Sequence, residues 1–224
     1  MPTFTVRKTS VVPEFAGLWA GPVWSRSETV SINQFHPASS NHRPEVAARL
    51  LYDREGIYVH FKIKDRYVRS VHTHHQESVC QDSCAEFFFQ PKATPGYLNM
   101  EANAGGVFLC SYITDHQRVP GGFANYRPID STWLDRIKVY HSLPAIVEPE
   151  LTGPVEWHLE YCIPFTLIEA YTGPLGSISG QVWHANFYKC GDQTSHPHWA
   201  SWAPIGETLN FHKPDCFAPI TFEP

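Results

Sequence analysis

Ten consecutive residues, Gly56-Ile57-Tyr58-Val59-His60-Phe61-Lys62-Ile63-Lys64-Asp65, constrain the fold of this chain more than any other stretch. Ile57, Val59, Phe61 and Ile63 fall on one face of an extended chain, and His60, Lys62 and Lys64 on the other. That period of two belongs to a β-strand with one face against a core. Asp53-Arg54-Glu55-Gly56 has the composition of a hairpin turn, so residues 46–52 become the partner strand. Glu45-Val46-Ala47-Ala48-Arg49-Leu50-Leu51 contains good helix formers, but the turn and the long alternation that follow favour strand.

A second alternation, Val155-Glu156-Trp157-His158-Leu159-Glu160-Tyr161-Cys162-Ile163, stops at Pro164. Residues 165–171 then suit a short helix closed by Gly173-Pro174. Further strands are expected at 29–32, 85–90, 97–103, 107–113, 137–141, 182–188 and 218–222, with loops at 39–44, 119–132 and 189–214. Nineteen Pro and 14 Gly punctuate the chain, aromatics make up 14% of it, and only 17% of residues are charged. Many short strands joined by turn residues suit this composition better than long solvated helices do. At 224 residues, with no repeat or low-complexity linker, the chain reads as one domain spanning 1–224. The expected fold is all-β: an antiparallel β-sandwich of immunoglobulin or jelly-roll kind, with one or two short helices.

The net charge is −5 with histidines neutral, and there is no Lys/Arg block of the kind a nucleic-acid binder needs to displace counterions. No apolar run is long enough to span a bilayer. The opening Met-Pro-Thr-Phe-Thr-Val-Arg-Lys-Thr-Ser has no apolar stretch after a basic start. The expectation is therefore a soluble, cytoplasmic protein unless a signal has been removed, with neither nucleic acid nor membrane as partner. Six cysteines permit disulfides, but Cys80, Cys84, Cys110, Cys162, Cys190 and Cys216 are irregularly spaced, and a chain of this size does not need bridges. Free, mostly buried thiols are expected.

Several strands carry polar residues where apolar ones would be ordinary. Asp82, Glu86 and Asn186 are such positions, and Asn99, Glu101 and Asn103, spaced by two, share one sheet face opposite Leu98, Met100 and Ala102. Such a face suits either solvent or a ligand rich in hydroxyl groups, since sugars are held by bidentate polar side chains and aromatic platforms. Glu86 and Glu101 also admit a glycosidase reading, as acid and nucleophile or base. His72-Thr73-His74-His75, His196-Pro197-His198 and His212 invite a metal, but no His-Glu-x-x-His or Cys-x-x-Cys pattern accompanies them, and hydrogen-bonding loops account for them. Cys190 with His196 or His212 as base would make a nucleophile, although structural cysteines are the simpler account.

Three stretches carry a family resemblance. The first is Leu51-Tyr52-Asp53-Arg54-Glu55-Gly56-Ile57-Tyr58-Val59 running into Ile63-Lys64-Asp65. The second is Gln81-Asp82-Ser83-Cys84-Ala85-Glu86-Phe87-Phe88-Phe89, followed by Tyr97-Leu98-Asn99-Met100-Glu101-Ala102-Asn103-Ala104-Gly105-Gly106. The third comprises Ala185-Asn186-Phe187-Tyr188-Lys189-Cys190-Gly191-Asp192, Trp199-Ala200-Ser201-Trp202 and Phe211-His212-Lys213-Pro214-Asp215-Cys216-Phe217. In order and spacing these resemble the family 9 carbohydrate-binding modules and related sandwich domains.

The resemblance implies a β-sandwich that binds a glycan between aromatic side chains without cleaving it, in support of carbohydrate catabolism. The alternative is a glycan-processing or metal-dependent enzyme, a glycosidic hydrolase, using the acidic or histidine residues of the same scaffold. No cofactor is expected; calcium is the one ion the resemblance admits, and no Asp-rich calcium loop is visible. The chain departs from the better-understood members at Val79 and Phe211, where they carry Trp, and at Asn99, where they carry Arg. The ligand face is expected to comprise Glu86, Asn99, Glu101 and Asn186, flanked by Trp202 and Phe211, with Asp82, Asn103, Tyr188, Trp199 and His212 as additional members.

Overall fold

The two alternating runs lie side by side as the centre of one sheet. In a computed structural model describing residues 1–93 and 96–224, Gly56–Asp65 pairs antiparallel with Val155–Pro164 over its whole length, Phe61 opposite Leu159. Among the described residues the chain forms sixteen strands and two α-helices. The first eight strands are β1 (Phe4–Lys8), β2 (Val30–Ser31), β3 (Gln34–Phe35), β4 (Glu45–Tyr52), β5 (Gly56–Asp65), β6 (Val68–Ser70), β7 (Cys84–Gln90) and β8 (Tyr97–Asn103). Then come β9 (Phe108–Val119), β10 (Gly122–Pro128), α1 (Ser131–Leu134), β11 (Val139–His141), β12 (Val147–Leu151) and β13 (Val155–Pro164). The chain ends through α2 (Phe165–Thr172), β14 (Val182–Cys190), β15 (Trp199–Ser201) and β16 (Ala218–Phe222).

Two layers result. The back sheet runs β4-β5-β13-β11 with β2 on β4; the front sheet runs β10-β9-β8-β7-β14-β16 with β15 on β14. The short β1 joins them, its first half parallel to β16 (Phe4 opposite Ile220) and its second half parallel to β4 (Arg7 opposite Leu51). Every other pairing is antiparallel. The inner faces meet through aromatic rings: Phe61 lies 6.3 Å from Phe187, and Tyr161 lies 5.3 Å from Phe108. Trp157 and Trp183 are wholly buried, and the expected antiparallel β-sandwich is the fold of this chain. The helix at Phe165–Thr172 begins directly after Pro164, whose ring fixes an extended entry, and ends at Gly173 with φ +76°.

Short strands not expected from sequence include β1, β3, β6, β12 and, inside the expected loop 189–214, β15; two further departures bear on the two outer faces. Residues 119–132, expected as loop, instead extend β9 to Val119 and return as β10 through Gly121 (φ +93°) and Gly122 (φ +149°). Thr114 to Arg118 are polar on both faces of the ribbon, so no apolar period marks them. The second departure is His60, on the face of β5 expected to meet water but wholly buried. Trp19 and Trp24, from a covering segment before β2, each place a ring 5.0 Å from its imidazole. No helix among the described residues is long and apolar enough to cross a membrane.

Candidate functional site

Strand alternation creates the site. On β7, Ala85, Phe87 and Phe89 turn into the core, which sends Cys84, Glu86 and Phe88 to the outer face of the front sheet. On β8, Leu98, Met100 and Ala102 turn inward, and Tyr97, Asn99, Glu101 and Asn103 outward. The register sets Glu86 directly opposite Glu101, and Asn99 opposite Ser111 of β9. Above these residues opens a cavity of about 500 Å³, in the range of small-molecule sites.

Its floor is acidic. Glu86 and Glu101 are almost fully buried although both carry carboxyl groups. Burial, then the facing Glu101, pushes the Glu86 carboxyl well above its usual range. Burial also raises Glu101 to about 7, against the Asn99 amide, which donates to Glu101 Oε1 at 2.8 Å. The Asn99 carbonyl in turn accepts the Ser111 N–H at 2.7 Å, which fixes the amide's orientation. Asp192, also raised by burial, accepts from the Trp199 indole at 2.7 Å.

Its rim is aromatic. Phe211 stacks on Tyr188 at 4.1 Å with planes 11° apart, and the Tyr188 hydroxyl donates to the Phe211 carbonyl at 3.0 Å. Phe211 is therefore a held platform rather than a loose loop residue. The β9–β10 hairpin contributes Phe123, 4.6 Å from the His212 ring, with the Arg118 guanidinium 4.0 Å over the Phe123 ring. His212 shares a hydrogen bond with the Tyr97 hydroxyl at 2.9 Å, and burial lowers its imidazole to about 3, so it is neutral beside Glu101.

Of the residues expected from sequence, Glu86, Asn99, Glu101, Trp199, Phe211 and His212 line this cavity. Tyr188 lies beneath, supporting Phe211. Trp202, expected to flank the ligand, packs edge-on against Phe187 at 5.6 Å in the sandwich core. Its backbone N–H donates to the Phe187 carbonyl, which fixes the segment that carries the indole inward. Asn186 clasps the chain beyond β15: its side chain donates to the Ala203 carbonyl at 3.0 Å and accepts the Ala203 N–H at 2.9 Å. Asp82 accepts from the Val71 and His72 backbone and from Asn103, while Asn103 accepts the Val107 N–H. These two tie the β6–β7 and β8–β9 connections together.

Sequence reasoning missed Arg118, which falls between the expected strand 107–113 and the expected loop 119–132, and Phe123 and Tyr126 inside that loop; all three reach the cavity. The adjacent Gly121-Gly122, a dipeptide typical of tight hairpins, was the available signal. The histidines do not form one centre. His72 pairs with Asp82 at 3.1 Å, and His196 stacks on Tyr67 at 3.6 Å. His198 joins His42 and Asp65 in a buried cluster whose cation is Lys189, 2.8 Å from His198 and 3.5 Å from Asp65. All six cysteines are free thiols.

A two-sheet sandwich with an acid-floored, aromatic-rimmed cavity on one outer face defines the class of a small-ligand-binding β-sandwich domain. Residues 24–222 match the profile of carbohydrate-binding family 9, and the chain belongs to that family. Among solved structures it is similar to a Bacteroides uniformis protein provisionally described as carbohydrate-binding, with 29% identity, 99% of each chain covered and a TM-score of 0.85. Two structures of a family 9 module from Caldicellulosiruptor kristjanssonii share the fold at 14% identity. The one in complex with cellotriose has a TM-score of 0.63 and covers 99% of this chain and 94% of its own. The one in complex with glucose has a TM-score of 0.60, with 99% and 96% covered. A comparison with curated proteins found no match.

Proposed function

We propose that this chain binds a glycan, without cleaving it, in the cavity on the outer face of the front sheet. The observation that carries the reading is the pairing of a fixed aromatic plane, Phe211 on Tyr188, with the facing carboxyl groups of Glu86 and Glu101. A pyranose has an apolar C–H face for the ring and a rim of hydroxyls for the carboxyl and amide groups. A protonated Glu86 donates a hydrogen bond, while Glu101 and the Asn99 amide add acceptor and donor capacity. The family membership supports the same ligand class.

Stacking supplies most of the affinity, because it removes apolar area from water while polar bonds largely replace bonds to water. Cellotriose and glucose are natural first probes, since structurally similar modules were crystallised with them. The test is a glycan array followed by a reducing-sugar assay on every glycan retained. Retention of at least one glycan class with no release of reducing ends is the expected result. Cleavage that disappears in Glu86→Gln, with the fold intact, would instead establish a glycosidase.

A further inference from the structure

The cavity floor holds two thiols that the glycan reading does not use, beside a carboxyl group, Glu86, that it does. Cys84 opens β7 and Cys190 closes β14, and the register places them directly opposite each other. Both side chains lie on the outer face with Glu86, two residues along from Cys84. Cys190 Sγ donates to Glu86 Oε1 at 3.0 Å, and one donor atom each from Cys84, Glu86 and Cys190 falls within 4.8 Å of the other two. Glu86 and Cys190 line the cavity, and Cys84 is wholly buried beside them. Val79, Val107 and the half-buried Leu109 and Trp199 surround the sulfurs with apolar groups.

We propose that Cys84, Cys190 and Glu86 form a binding site for a soft divalent cation of the zinc class, with one coordination position facing the cavity. Two sulfurs and one carboxylate suit zinc and disfavour calcium or magnesium, which take oxygen ligands. With Zn–S near 2.3 Å, two thiolates on a tetrahedral ion stand roughly 3.8 Å apart, inside the observed spread of donor atoms. Three protein ligands and one open position form the arrangement of an accessible zinc site rather than a closed structural one.

A buried carboxyl group facing a second one needs either a proton or a cation to neutralise it. A proton serves in the metal-free chain, where burial raises the Cys84 thiol and the Cys84 contact and burial raise the Cys190 thiol, a cost that the bound ion has to offset. Metal uptake exchanges three protons, two from thiols and one from the carboxyl group, for one divalent ion, so affinity rises with pH. The other cluster of possible ligands, His42, Asp65 and His198, already encloses the Lys189 ammonium and has no such need.

The site rests on ligand geometry and not on the glycan reading, so it is tested without sugar. The reduced full chain is titrated with cobalt(II), and the thiolate-to-cobalt charge-transfer band and the tetrahedral d–d bands are followed. One ion per chain, displaced by zinc and not by calcium, is expected. Cys84→Ser and Cys190→Ser should each lose the charge-transfer intensity, while Cys162→Ser, on the back sheet, should keep it. Should a serine variant fail to fold, Glu86→Gln, which keeps the side chain's size and removes its negative charge, answers the same question: cobalt should bind clearly more weakly while the fold is retained. Absence of the band in the wild type, its persistence in both serine variants, or parental cobalt affinity in a folded Glu86→Gln would overturn the site.

Discussion

Each sheet of the sandwich buries a pair of ionisable side chains on its outer face, and the two pairs have opposite character. On the back sheet the register sets Glu160 against His60; on the front sheet it sets Glu86 against Glu101. Burial raises Glu160 to about 7, as it does Glu101. The back pair is closed by the chain itself. Glu160 accepts the Gly17 N–H, His60 bonds His158 at 2.9 Å, and Trp19 and Trp24 lie over the imidazole. The front pair is two acids, which cannot satisfy each other when ionised, and the chain leaves a cavity above them. The covered pair, held toward its neutral forms by burial, is structure even with His60 Nδ1 and Glu160 Oε2 left without a hydrogen-bond partner among the described residues, whereas the open like pair stays poised for a third body: a proton, a ligand or a cation.

The largest effects that separate the two faces are losses of stability. Trp24→Ala opens the back cover at a wholly packed ring and should cost about 3–5 kcal/mol of unfolding free energy in urea titration. Glycan affinity, measured below the new melting temperature, should not change. Trp202→Ala should behave in the same way, costing roughly 3 kcal/mol of stability through lost core packing. A change in affinity without loss of stability for either variant would place that indole at the ligand instead.

A smaller effect should appear in the pH dependence. Folded Glu101 and Glu160 keep their protons to about pH 7, whereas ordinary glutamates lose them near 4.5. Their contribution to stability is therefore complete below about pH 4.5 and is lost as pH rises through 7. His60, held at about 2, and His198 and His212, held at about 3 by burial, act in the other direction. Their contribution is present above about 6.5 and is lost as pH falls below it. Thermal unfolding should thus show greatest stability in mildly acidic buffer, falling on both sides. Glu101→Gln should reduce the loss between pH 6 and 8 by roughly 1 kcal/mol. An unaltered alkaline limb in that variant would show that Glu101 is ionised in the folded chain.

How much of this was legible in the sequence follows from where burial is one-sided. Strands β5, β8 and β13 alternate because only one face packs apolar side chains into the core, even where the polar face is buried too, and β8 spans the expected 97–103. The outer part of the β9–β10 hairpin, from Thr114 onward, is invisible to that logic because it is largely exposed and carries no apolar alternation. It nevertheless supplies a wall of the cavity. The carboxyl and amide floor was readable as polar residues at spacing two. The aromatic rim was only half readable, because Trp202 and Phe211 lie in one irregular segment and composition cannot tell which ring turns inward. Backbone pairing to Phe187 turns Trp202 into the core, and stacking on Tyr188 turns Phe211 over the site. The burial of His60 depends on a covering segment far away in sequence.

The central claim is that the front cavity, and not the back face, takes the glycan. It is tested most directly by calorimetry with one retained glycan on three proteins: wild type, Phe211→Ala and Trp19→Ala. Phe211→Ala should weaken binding by about 1–3 kcal/mol, the scale of one large apolar side chain, while its circular dichroism stays that of the parent. Trp19→Ala, on the back face, should bind as the wild type does. Parental affinity in a folded Phe211→Ala, or lost affinity in a folded Trp19→Ala, would contradict the account.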